Sequence, residues 1–195
     1  MTLIIQRSKP EEELIAGCRK KEQLAQRHLY ERFSGKMLGI CKRYIRDAGE
    51  AEQVMVGGFV KIFQKIDQFK SEGRFEGWVR RIMVNESLIY LRKNKYMYLE
   101  MDIAEAEEPD YETLSTQLDA DDLLKIVQQL PAGYRMVFNM YAIEGYSHKE
   151  IAEALDINVN TSKSQLSRAR KQLQKMLKER EDWENAKMFS YEEGR

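Results

Sequence analysis

Lys163, Ser164, Gln165 and Arg168 stand within two turns of a helically periodic stretch, and each carries a group that hydrogen-bonds to base edges. That chemistry is recognition rather than bond making. Between Asn160 and Lys178 there are six basic residues (Lys163, Arg168, Arg170, Lys171, Lys175 and Lys178) and no acid, whereas a merely solvated helix face usually mixes signs. A second set, Trp78, Arg81, Asn85, Leu88 and Arg92, recurs three and four residues apart. Indole and guanidinium groups stack on bases and an amide reads a base edge, a combination that suits single-stranded or distorted nucleic acid. The plain alternative, a core Trp flanked by solvated arginines, stays open on these residues alone.

Other chemistries find no support. No acid–base pair, activated nucleophile or phosphate-cradling loop appears, so neither an enzyme nor a cofactor site is expected. Cys18 and Cys41 are far apart and not in metal-ligand spacing, which reads as two buried, reduced thiols. His28 and His148 look isolated, without a partner pattern for catalysis or zinc.

The elements that must position the first set form a helix-turn-helix. In YSHKEIAEALDINVNTSKSQLSRAR, Tyr146 to Arg170, Ser147 and Glu150 have capping-box spacing, and Ile151, Ala152 and Leu155 form an inward face. Asp156 takes the left-handed turn, Asn160 or Thr161 caps the second helix, and Ala152 is the small residue at the helix crossing. Leu166, Ala169, Leu173, Met176 and Leu177 make the second helix's buried stripe, with the basic and polar set pointing outward.

Charge is unevenly spread. The 32 basic and 32 acidic residues cancel, yet Leu99 to Asp122 holds ten acids and no Lys or Arg. This composition predicts an extended acidic linker and two small domains with a boundary near Leu99: 1–98, linker 99–121, 122–180, and a tail 181–195 in which Trp183 and Phe189 carry no readable motif. Long three-and-four periodicity with only three prolines predicts an all-α protein. No run of about twenty apolar residues and no cleavable leader is present, so a cytoplasmic protein without membrane insertion is expected.

In the N-terminal half, Ser8, Pro10 and Glu11 start a helix bearing Leu14, Ile15 and Cys18, and a second holds Leu24, Ala25, Leu29 and Phe33. Gly35 is expected to break the chain before Met37, Leu38, Cys41, Tyr44 and Ile45. A longer helix follows from about Ala48 to Phe69, its inner face Ala51, Met55, Phe59, Ile62, Ile66 and Phe69. Gly57 and Gly58 lie inside it at about 1 kcal/mol each relative to Ala, which requires close packing or approach of a partner. After the polar loop FKSEGRF a last helix buries Phe75, Val79, Ile82, Met83 and Ile89.

Two blocks together resemble one known family. Ala51 to Lys95, AEQVMVGGFVKIFQKIDQFKSEGRFEGWVRRIMVNESLIYLRKNK, is similar to region 2 of bacterial extracytoplasmic-function sigma factors. Leu130 to Leu177, LPAGYRMVFNMYAIEGYSHKEIAEALDINVNTSKSQLSRARKQLQKML, resembles their region 4. The resemblance implies a non-catalytic subunit that binds core RNA polymerase through the β′ clamp helices and the β subunit, and directs it to promoter DNA. It implies core contacts by Glu52, Phe59, Lys61 and Ile62. It implies capture of a flipped base of the minus-ten element by Phe69, Lys70, Ser71, Phe75, Trp78, Arg81, Asn85 and Arg92. The minus-thirty-five element would meet Thr161, Lys163, Ser164, Gln165 and Arg168, with Arg170 and Lys171 nearer phosphates. An anti-sigma factor partner is implied, and so is threading of the acidic linker through the polymerase's basic RNA-exit channel.

Some residues depart from the family pattern: Gln53, Val56-Gly57-Gly58, Ile89, Asp156 and Ser162. Gln165 stands where relatives often carry Arg, and by its chemistry favours adenine, so a less G-rich upstream element is expected. Two other classes compete. One is a conventional dimeric helix-turn-helix regulator, which has no need of the Trp78 to Arg92 stripe. The other is an all-α protein whose basic helix binds an acidic partner, which salt dependence would separate from DNA binding.

Overall fold

The computed structural model describes the backbone of residues 10–94 and 120–192, and the side chains of 10–94 and 123–180. The acidic segment up to Asp119, the expected boundary near Leu99, Ser8, and the side chains of Trp183 and Phe189 lie outside the described residues. All described elements are helical. The chain divides into two compact units, Met1–Tyr90 and Leu91–Arg195.

In the first unit, α1 (Glu11–Arg19) opens with three acids and closes on Arg19, both favourable to the helix dipole. Its Leu14, Ile15 and Cys18 are buried against α2 (Gln23–Tyr44). Gly35 does not break α2. Phe33, Met37, Ile40, Cys41 and Tyr44 continue one buried face through it, and that burial outweighs the local glycine penalty. Leu24, expected inside, is 58% exposed at the start of the helix. Asp47 caps α3 (Ala48–Lys65), its carboxylate accepting the Glu50 N–H at 2.8 Å.

A 3-10 turn, Ile66–Gln68, ends α3 before the expected Phe69. Gly58 is where α4 (Phe75–Lys93) approaches closely, because a Cβ there would collide with the Met83 sulfur. Gly57, facing outward, meets nothing. On α4 the expected inner face shifts: Leu88 is 3% exposed and Ile89 38%, with Val84 and Leu91 also buried. The core on this helix is a wider arc than a single stripe.

In the second unit, α5 (Ala120–Gln129) begins two residues inside the predicted linker. Ile126, Val127 and Leu130 form a core with Ala169 and Leu173 of α8 (Val159–Glu192), flanked by Tyr134, Phe138, Met176 and Leu177. Backbone helix therefore continues through most of the predicted tail. Arg135 of α6 (Ala132–Phe138) is buried and donates to the carbonyls of Gln128 and Leu130 at 3.1 and 2.8 Å, placing a cation on the C-terminal end of α5. A π-helical turn, Asn139–Ile143, leads towards α7 (His148–Leu155).

Candidate nucleic-acid interface

The helix-turn-helix forms as its sequence dictates. Ser147 and Glu150 complete a capping box: the Ser147 N–H donates to the Glu150 carboxylate at 2.8 Å and the Glu150 N–H to Ser147 Oγ at 3.3 Å. Ile151, Ala152 and Leu155 are buried, and Asp156 stands in the left-handed region at φ 55°, ψ 48°. The second helix starts earlier than expected. Asn158, rather than Asn160 or Thr161, receives the free N–H of Asn160 on its side-chain oxygen at 2.8 Å.

Of the residues expected to point outward on α8, Lys163 and Lys171 are exposed, and Thr161, Ser164, Arg168 and Arg170 are half-buried. Gln165 is turned inward, which corrects its expected outward placement. It is 5% exposed, and its amide lies where a Gly133 Cβ would stand 3.3 Å from Oε1. Ser162 and Gln165 belong to the buried stripe with Leu166, Ala169 and Leu173, so the inner face of α8 is broader than its apolar residues. A buried Gln165 cannot set an adenine preference from this conformation.

His148, expected to be isolated, has partners. Its ring stacks on Tyr141 with centroids 4.5 Å apart, and its Nδ1 lies 2.9 Å from Ser162 Oγ. Arg170 sits over the same Tyr141 ring at 5.7 Å. Burial, followed by the charges of Lys163 and Arg170, holds the imidazole below its ordinary pKa. Its partners come from two other elements, the π-helical turn and α8, so no single local pattern marks them.

The first unit builds a cavity of about 480 Å³ where the 69–74 loop meets α4, lined by Phe69, Lys70, Arg74, Trp78 and Arg81, with Gln68, Glu72, Gly73 and Gly77 completing it. The volume falls in the range of about 300–1,000 Å³ typical of small-molecule sites. Its floor is aromatic: Phe69 meets Phe75 edge-on at 5.1 Å and Trp78 at 5.7 Å, while Phe75 lies 5.6 Å from Trp78 and 5.7 Å from Phe33 of α2. Phe75 is buried beneath the wall, and Trp78 is half-buried. Ser71 is exposed with φ 59°.

Asn85 is exposed and Arg92 half-buried, and neither lines the cavity. They lie about 6 and 16 Å beyond Arg81 along the axis of α4. Arg74, which no spacing in the sequence marks, also stands on the wall, next to the turn at Gly73.

The expected core-binding set divides. Glu52 is exposed, and Lys61 is partly exposed with its ammonium 2.7 Å from Glu86. Phe59 and Ile62, at 2% and 0% exposure, face the unit's interior, which corrects their expected role as contacts. The outward apolar residues of α3 are Val56 and Val60, one turn apart, at 45% and 50% exposure.

The family model "Sigma-70 region 2" matches residues 29–96, and "Sigma-70, region 4" matches residues 120–173, together well over half the chain. The chain belongs to the sigma-70 family, in its extracytoplasmic-function (ECF) group. Among curated relatives, it is 29% identical over 181 residues to the ECF RNA polymerase sigma factor SigW of Bacillus subtilis, covering 85% of this chain and 95% of SigW. It is 24% identical over 181 residues to the RNA polymerase sigma-H factor of Pseudomonas aeruginosa, covering 86% and 93%. A solved structure of the sigma factor RpoE from Bartonella quintana, in complex with the anti-sigma factor NepR, shares the fold at a TM-score of 0.50 and 22% identity over 78% of this chain and 96% of that one.

This sigma factor therefore acts with RNA polymerase at promoters in transcription initiation. Its region 2 accounts for the first unit, which the conventional-regulator reading left without a purpose. Among the described residues, no helix is long and apolar enough to cross a membrane.

Proposed function

We propose that the cavity between the 69–74 loop and α4 receives one unpaired base of the non-template strand at the minus-ten element. The observation that carries this reading is the composition of the cavity: two aromatic rings, Phe69 and Trp78, beside the cationic side chains of Lys70, Arg74 and Arg81. Rings stack on a base, and cations hold the flanking phosphates. Unstacking the base costs a few kcal/mol, which the pocket and the polymerase jointly offset. Asn85 and Arg92 continue the strand's path along α4, with Ser71 at the loop's exposed tip and Phe75 supporting the rings.

In the second unit, Lys163 and Ser164 face the major groove of the minus-thirty-five element, flanked by Thr161 and Arg168, and Arg170 and Lys171 meet phosphates. Gln165 is left out of this set. Core polymerase docks on the outward side of α3, through Val56 and Val60 with Glu52 and Lys61 at the edge. The protein supplies recognition and positioning, not catalysis, and works in the cytoplasm with the polymerase. An anti-sigma factor that covers the same faces is its natural antagonist. Residues 1–98 form the region 2 domain, 99–121 the acidic linker, 122–180 the region 4 domain and 181–195 a C-terminal extension.

Abortive transcription with purified core polymerase on the promoter of its own operon tests this. Trp78→Ala is expected to abolish promoter opening while leaving core binding intact. Val60→Asp is expected to weaken core binding at least tenfold without lowering the thermal midpoint. Normal opening by Trp78→Ala would remove the base-pocket reading, and normal core binding by Val60→Asp would remove the docking face.

A further inference from the structure

The base pocket is braced from a helix that lies ahead of the region 2 match. That match begins at residue 29, whereas α1 ends at Arg19. The Arg19 guanidinium Nη2 donates to the backbone carbonyl of Phe69 at 2.7 Å, across 50 residues of sequence. α1 also packs against the 3-10 turn that precedes the loop. Phe69 is the hinge between that turn and the cavity wall: its N–H returns to the Ile66 carbonyl at 3.2 Å, and its ring floors the pocket.

We propose that Arg19 is a positioning residue for base capture: by holding the Phe69 carbonyl it fixes the direction in which the 70–74 wall leaves the turn. This rests on the base-pocket reading. The orientation of a carbonyl is the ψ angle of its residue, and Phe69 sits at ψ 106°. Beyond it the chain passes through Ser71 at φ 59°, a conformation with few alternatives nearby for a residue with a side chain. Such a path tolerates little change in its starting direction. A rotation at Phe69 moves Lys70 and Arg74 away from Trp78 and Arg81, which stand on the rigid α4. Bases stack and pair at fixed distances, so a wall displaced by about 1 Å loses discrimination between bases before it loses general affinity.

The guanidinium suits the task, because a charged donor on a carbonyl makes a stronger and more directional bond than a neutral one. The position is separable from the polymerase and duplex contacts, since Arg19 is on neither α3 nor the second unit.

The test uses holoenzyme assembled from core polymerase and the full chain. The probes are four forked DNAs carrying the promoter of its own operon, differing in the base at one unpaired non-template position, with the set repeated at each minus-ten position. Trp78→Ala first identifies the pocket's position as the one where base preference disappears; preference retained everywhere would overturn the pocket reading and, with it, the role of Arg19. Given that position, Arg19→Gln is expected to reduce the ratio of best to worst base about three- to tenfold there alone. Core affinity and the thermal midpoint of the free chain should be unchanged, and Arg19→Lys, which keeps a charged donor, should recover part of the ratio. An unchanged ratio in Arg19→Gln overturns the proposal while leaving the pocket standing. So does an equal loss for all four bases with a shallower salt dependence, which would make Arg19 a plain phosphate contact.

Discussion

Adding one methyl group at Gly57 and at Gly58 should have opposite consequences although the two residues are neighbours in the same helix. Replacing Gly by Ala inside a helix gains about 1 kcal/mol, chiefly by restricting the unfolded chain. At Gly57 the new Cβ meets nothing within 4 Å, so the full gain should appear. At Gly58 it collides with the Sδ of Met83, whose side chain is fully buried and must shift to make room. Overpacking of this kind costs about 1–3 kcal/mol, leaving a net loss of about 0–2 kcal/mol. The two variants should thus differ by about 1–3 kcal/mol.

Urea denaturation followed by far-UV circular dichroism reads this as a higher midpoint for Gly57→Ala and an unchanged or lower one for Gly58→Ala, at equal slope. Met83→Ala should cancel the penalty at Gly58 in a double-mutant cycle, because the two side chains then share one space. Equal midpoints for the two single variants would refute the close approach of α4 at Gly58. The same pair probes the docking face: Gly57→Ala adds its methyl beside Val56 and Val60, so the more stable variant is expected to bind core polymerase less well.

Three further outcomes are expected. Asp156→Gly should stabilise the second unit by about 0.5–1 kcal/mol in urea, because Asp156 holds φ 55°, a conformation glycine adopts without strain; no gain would place the strain elsewhere. His148 is held below the ordinary pKa of about 6.5, so the unfolded chain takes up the proton first: its stabilising effect is present above about pH 6.5 and is lost as pH falls through the folded value. The urea midpoint should fall less between pH 7.5 and 5.5 in His148→Gln than in the parent, and an identical fall would remove His148 as the cause. Burial pushes the Cys18 and Cys41 thiols up to about 11, so both should resist a thiol reagent at pH 8 until urea unfolds the chain; fast labelling in the native state would contradict their burial.

What could be read from the sequence was what local spacing encodes. Ser147 with Glu150, Asp156 at the turn and the inner face of α3 all follow from residues within two turns of one another, and each stands where expected. The failures share a cause. Gln165 is polar by type but inward by partnership, because the space it fills belongs to Gly133 on another helix. Gly35 sits in a helix held by distant packing, and its own propensity for breaking is overridden. Leu88 and Ile89 differ by one position on a wide buried arc, where periodicity does not choose the edge. Phe59 and Ile62 fit the inner face of α3 by spacing and the family's partner contacts by resemblance, and their burial places them in the core. The His148–Ser162 contact and the Arg19 brace join residues 14 and 50 apart, beyond the reach of any local pattern.

Phe75 belongs to two structures at once. It packs on Phe33 at the heart of the first unit and supports Phe69 and Trp78 at the bottom of the cavity. On the proposed reading, the part of the molecule that touches the base divides into a foundation that cannot vary and a rim that can. Phe75 cannot change without disturbing the core of the first unit. Lys70, Glu72, Arg74 and Arg81 carry no such duty, so on this plan the grip on the strand around the base can be retuned by altering four surface residues, at almost no risk to folding.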